Sequence, residues 1–161
     1  MGKIRKFAEL NIRKITGGKD PVRVIEEFLT RRGFDPKECE KERTPEMVRW
    51  MVHFKEDEEL EILVEGLRKA SETTLYMGLN IVTVPLRGAY DMLAAALEIA
   101  DGLVGIKVSL VGHYLVLSSS LSASTLTHEE LEYNLRLIEA QEGWFKETLS
   151  AELGWEEAVI E

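Results

Sequence analysis

The order of elements in this 161-residue chain predicts an α+β protein: a twisted antiparallel five-stranded sheet covered by helices, in the order helix, three strands, helix, two strands, helix. Three observations predict it. Apolar residues recur at helical spacing in stretches that open near Asp20, Ala89 and Thr127. Between those stretches apolar and polar residues alternate with a period of two, the pattern of a strand with one buried face. The connections are short, so successive strands run antiparallel. Residues 20–154 are expected to form one domain, preceded by a basic segment, 1–19, and followed by a short acidic tail, 155–161.

Each element has its own local cause. Residues 1–16 space Ile4, Phe7, Ala8, Asn11, Ile12 and Ile15 as a helix does, with basic residues between them, and Gly17-Gly18 breaks the pattern. Asp20-Pro21 is a helix start: Asp20 can cap the first backbone N–H groups and Pro21 suits the first helical position. Val24, Ile25, Phe28 and Leu29 then make one apolar stripe, and Gly33 suits a left-handed C-terminal cap. Residues 35–45, charged and interrupted by Pro36 and Pro45, read as a loop.

Val48, Trp50, Val52 and Phe54 alternate as a strand, and Lys55 to Glu58 make a solvated turn. Leu60, Ile62 and Val64 form the second strand. Leu75 to Val84 form the third, with Leu75, Met77, Leu79 and Ile81 on one face and Pro85 at its end. Ala89 to Ala100 carries Tyr90, Leu93, Ala94, Leu97 and Ala100 at helical spacing, and Ala94 to Ala96 permit close approach of another helix. Ile106 to Leu110 and Leu115 to Leu121 make a hairpin about Gly112-His113, one face apolar and the other rich in serine. In the last helix Thr127 and Glu130 form a capping box, and Leu126 with Leu131 a hydrophobic staple. Its stripe runs through Leu131, Leu135, Ile138, Phe145 and Leu149, with a second row at Leu137 and Trp144. Trp50 and Trp144 are expected in the core, leaving Trp155 as the tryptophan best placed for an intermolecular contact.

The composition is that of a globular protein, 45% hydrophobic and 30% charged with a net charge of −9. Residues 1–19 hold Lys3, Arg5, Lys6, Arg13, Lys14 and Lys19 against Glu9 alone, so they carry +5 and the body −14. An acidic body repels nucleic-acid backbones, so no nucleic acid is expected as partner. Cys39 is the single cysteine, which rules out an intrachain disulfide and points to a reducing, cytoplasmic compartment. No run reaches transmembrane length.

No motif carries catalysis. His53, His113 and His128 are far apart and fall in unlike places, so no zinc spacing exists. Glu56 to Glu59 lack the glycine and ligand spacing of a calcium loop. Ser118 to Ser124 have no nucleophile elbow and no partnered histidine. No catalytic residue, metal or cofactor is expected, and the chain reads as a non-enzyme.

The strands Val48–Phe54, Ile62–Val64 and Leu75–Val84, then Ala89–Ala100, then the hairpin Ile106–Leu110 and Leu115–Leu121 running into Leu126–Leu149, resemble the YbjN family and the class I type III secretion chaperone fold that it shares. The resemblance covers Asp20 to Leu153 in order and pattern. It implies a sheet covered by helices, a homodimer, and work through protein contacts, with a sensory regulatory role for the YbjN branch. The function expected is a small acidic dimeric protein-interaction module, chaperone-like or regulatory, whose partners are a second copy and a protein of unknown identity. The alternative is a small-ligand-binding sensory regulator, for which Asn80 and the serine face are the hints. Edge protection and the small-residue surface place the expected partner contacts at Ala95, Leu97, Ile106, Val108 and Leu110, and Trp155 is added for its place beyond Gly154 near the tail.

Overall fold

The computed structural model describes residues 20–55, 58–68 and 73–154. The basic segment 1–19, most of the turn after Lys55, and the tail with Trp155 lie outside them. In chain order the elements are α1 (Pro21–Arg31), α2 (Pro36–Cys39), β1 (Glu40–Arg43), β2 (Met47–Lys55), β3 (Glu58–Glu65), β4 (Thr74–Thr83), α3 (Ala89–Ala100), β5 (Lys107–Val111), β6 (Tyr114–Ser122) and α4 (His128–Leu153).

The fold is α+β, but the sheet has six strands, not five, in the order β1-β2-β3-β4-β6-β5. Every pairing is antiparallel. The additional strand, β1, and the short helix α2 occupy the stretch expected to be a loop. Asp35 caps α2 by accepting from the Lys37 N–H. β1 then pairs Arg43 with Val48 and Glu40 with Trp50, with an irregularity between Glu40 and Glu42. Four charged residues give no alternation to read, because this strand exists through pairing with β2 and not through a buried face of its own.

Register lines up the core. Trp50 faces Ile62, Ile62 faces Met77, and Met77 faces Ser119 across four strands. A parallel row runs from Val52 through Leu60, Leu79 and Leu117 to Val108. Trp50, Ile62, Met77, Leu79 and Leu117 are fully buried. Burying a side chain of this size contributes roughly 1.5–3 kcal/mol. The helices cover this face. α1 presents Val24, Ile25, Phe28 and Leu29, and Asp20 caps it through the Val22 N–H at 3.1 Å. Gly33, at φ +87°, ends it, and Phe34 N–H returns to the Leu29 carbonyl. α4 presents Leu131, Leu135, Ile138, Phe145 and Leu149. Its capping box forms: Thr127 Oγ1 accepts from the Glu130 N–H, and Glu130 accepts from the Thr127 N–H at 2.8 Å.

Two charged ties join the layers. Arg32 grips Glu132 with two donors, fastening α1 to α4. Glu58, expected in a solvated turn, is instead buried at the start of β3. Lys146 of α4 donates to it and to Glu142. Burial first, and then the Glu142 carboxyl, push the Glu58 carboxyl above its usual range. Burial opposes the charge on Lys146, but the two carboxylates outweigh it and hold its pKa above normal. The cluster pins the sheet to α4.

Candidate interaction surface

Among the described residues nine large hydrophobic side chains stand exposed, and seven of them fall between Leu86 and Tyr114. That stretch contains α3, the loop after it, β5 and the turn into β6. Only five of its 29 residues are charged, against 30% of the whole chain. Apolar exposure gathered on neighbouring elements makes this stretch the candidate contact surface.

The orientation of α3 creates it. The helix is apolar nearly all round, and its three buried residues are Met92, Ala96 and Ile99. They pack inward as part of the core. The stronger stripe therefore points away from the core: Tyr90 is 82% and Leu97 70% exposed, with Leu93 half-buried between them. Leu86 stands wholly clear of the body just ahead of the helix.

The loop after α3 is rigidly held. Gln141 of α4 accepts from the Val104 N–H and donates to the Val104 carbonyl, both at 3.0 Å. These two hydrogen bonds fix the backbone at Val104, whose side chain stands exposed. β5 then forms the last strand of the sheet, alongside α3. Val108 pairs with Leu117 and Leu110 with Leu115, so both face the helical side. Val111 and Tyr114 face the other way, and Gly112, at φ +61°, makes the turn between the strands. The Val84 N–H donates to the His113 carbonyl at 2.7 Å and ties the turn to the end of β4.

The expected partner residues fall unevenly on this surface. Leu97 and Leu110 lie on it, exposed. Val108 and Ala95 are half-buried and packed on the core, lining its inner margin. Ile106 is 7% exposed and belongs to the core beneath. Trp155 lies outside the described residues. Sequence reasoning missed Leu86, Tyr90, Val104, Val111 and Tyr114. Their signal was an apolar stretch with too few polar residues to give its helix and hairpin a wet side. Trp144, expected in the core, is 45% exposed on α4 and rests beside Gly102.

The helix-free face of the sheet is self-contained at its centre. Tyr76 folds over Gly78, where a Cβ would come within 2.4 Å of its hydroxyl. Tyr76 also hydrogen-bonds Ser118, while burial raises the phenol's pKa. Asn80 lies half-buried beside Val116 in the same region. Among the described residues no three His, Cys, Asp or Glu side chains converge as a metal site, and no helix is long and apolar enough to cross a membrane.

No family model and no curated protein matches the sequence. Solved structures do. A chain of the ExsC–ExsE complex superposes with a TM-score of 0.55 at 18% identity, over 80% of this chain and 92% of that one. A chain of the HopA1–SchA chaperone–effector complex gives 0.47 at 12% identity, over 78% and 91%. The Yersinia pestis type III secretion chaperone SycH, solved with a fragment of YscM2, gives 0.47 at 17%, over 78% and 98%. The ExsC–ExsE likeness establishes a shared fold.

Proposed function

We propose that this protein is a dimeric, non-catalytic protein-interaction module of the secretion-chaperone kind, working in the reducing cytoplasm and holding a segment of a partner protein. The observation that carries the reading is the concentration of exposed apolar side chains on α3, the Val104 loop and β5. A second copy meeting this surface about a twofold axis would cover Leu97, Leu110 and the open edge of β5 together. The fold supports the reading, because it is shared with a chain of an assembly of two proteins, the ExsC–ExsE complex. The resemblance to the YbjN family implies the same reliance on protein contacts.

Native mass spectrometry of the full chain, purified from its own cells, tests the proposal. The expected species is two copies of the chain, free or with a second polypeptide. A single copy carrying a small molecule would overturn it in favour of the sensory-regulator reading.

A further inference from the structure

Between the start of β3 and the second half of α4 one ammonium holds two buried carboxyls. Glu142 and Lys146 lie one turn apart on α4 and share a face. Lys146 Nζ donates to Glu142 at 2.8 Å and, across the layers, to Glu58. Two oxygens on one nitrogen bring the carboxyls within reach of each other, and they hydrogen-bond directly. Glu58 is 8% and Glu142 5% exposed. Two carboxylates have no donor between them, so that hydrogen bond needs a proton. Like charges this close in a dry site favour the same outcome. The charges around the cluster are few. β4 and β6 contain no charged residue. On α3 Asp91 and Glu98 are exposed, and on α4 Glu139 acts on Arg32 while Glu147 is exposed. α1 meets the other end of α4, where Arg32 answers Glu132, about 15 Å from Glu142 at about 1.5 Å per helical residue. β1 lies along Val48–Trp50. On β3 itself Glu59 turns to His53 on the opposite face, and Lys55 of β2 stands opposite Glu58 in the ladder.

We propose that Glu58 and Glu142 share a single proton, and that losing it loosens the end of the β2–β3 hairpin from α4: a proton-operated latch between sheet and helix. The inference stands apart from the proposed function. The hairpin is the side that gives way. Glu58 is the first residue of β3 and lies next to the turn, whereas Glu142 sits midway along a 26-residue helix. Burial first, and then the Glu142 carboxyl, push the Glu58 carboxyl up, and Lys146 only partly offsets them. The folded chain thus holds this proton more tightly than the unfolded chain does. Its contribution to stability is full in acid and falls as pH rises from the ordinary glutamate range through the raised value. Lys146 stays charged throughout, because the two carboxyls hold its pKa above normal.

Carbon-13 NMR of the glutamate carboxyls in the full chain tests the shared proton. One resonance should titrate above the ordinary glutamate range, and none should do so in Glu58→Gln. Ordinary titration of every glutamate in the unaltered chain would overturn the proposal. Amide exchange tests the latch. As pH rises through that titration, exchange at Leu60, corrected for its intrinsic base dependence, should quicken by about threefold or more. In Glu58→Gln it should stay level, since the new amide donates to Glu142 and its carbonyl accepts from Lys146 at any pH. The same course in both proteins would contradict the latch. Glu142→Gln removes the shared proton from the helix side and gives the same comparison if Glu58→Gln does not fold.

Discussion

At one edge of the sheet β1 presents Glu40, Lys41, Glu42 and Arg43; at the other β5 presents Lys107, Val108, Ser109, Leu110 and Val111. The first edge is short, charged and irregular. Arg43 is fastened to Glu40 and Glu26 in front of it. These are devices that stop a sheet from pairing with a stranger. The second edge, also short, has the single charge of Lys107 and no irregularity: Leu110 and Val111 are half exposed, and the exposed stripe of α3 continues the apolar surface. The same chain protects one edge and leaves the other open, so the open edge is where an interaction is expected.

The largest test removes the apolar character of the open edge. Leu97→Glu with Leu110→Glu should weaken self-association by at least about 30-fold, since losing side chains at the centre of a contact costs about 2 kcal/mol or more. Both side chains are at least half exposed, so the subunit should stay folded by circular dichroism. Persistent association would move the interface elsewhere.

A second variant separates folding from association. Thr127→Ala removes the α4 cap and should lower stability to urea by about 1 kcal/mol. The mass of the assembly in native buffer should be unchanged. An unaltered midpoint would show that α4 does not depend on its capping box.

The smallest effect belongs to the guarded edge. Arg43 holds the Glu40 carboxyl below its usual range, first by its hydrogen bond and then by its charge. Glu40 thus binds a proton less readily folded than unfolded. The pair contributes stability above the ordinary carboxylate range and loses it as pH falls through the depressed value. Arg43→Ala should flatten that acid limb, with a cost at neutral pH under about 1 kcal/mol because the pair is exposed. Urea midpoints followed from pH 7 to pH 3 would show it, and parallel curves for the two proteins would remove Arg43 as the cause.

What could be read in the sequence follows the same division. β2, β3 and β4 each bury one face, so alternation around Trp50, Ile62 and Met77 exposed them, and α4 announced itself through Thr127 and Glu130. β1 buries almost nothing and left no pattern. Glu58 passed for a turn residue because the lysine that makes its burial tolerable is 88 residues away. The site was half legible. Leu97 and Leu110 could be picked out, but α3 has apolar residues on both sides. Periodicity could not say that Met92, Ala96 and Ile99 would turn inward and Tyr90 outward. That choice depends on how the helix packs against α4, which lies far from it in sequence.

Sedimentation equilibrium of the unaltered chain at micromolar concentration tests the central claim, that the α3–β5 surface is an interface. The account predicts a mass near twice the 18.3 kDa of one chain, falling toward one chain only on dilution or in the Leu97→Glu, Leu110→Glu variant. A mass of 18.3 kDa, independent of concentration, would contradict it.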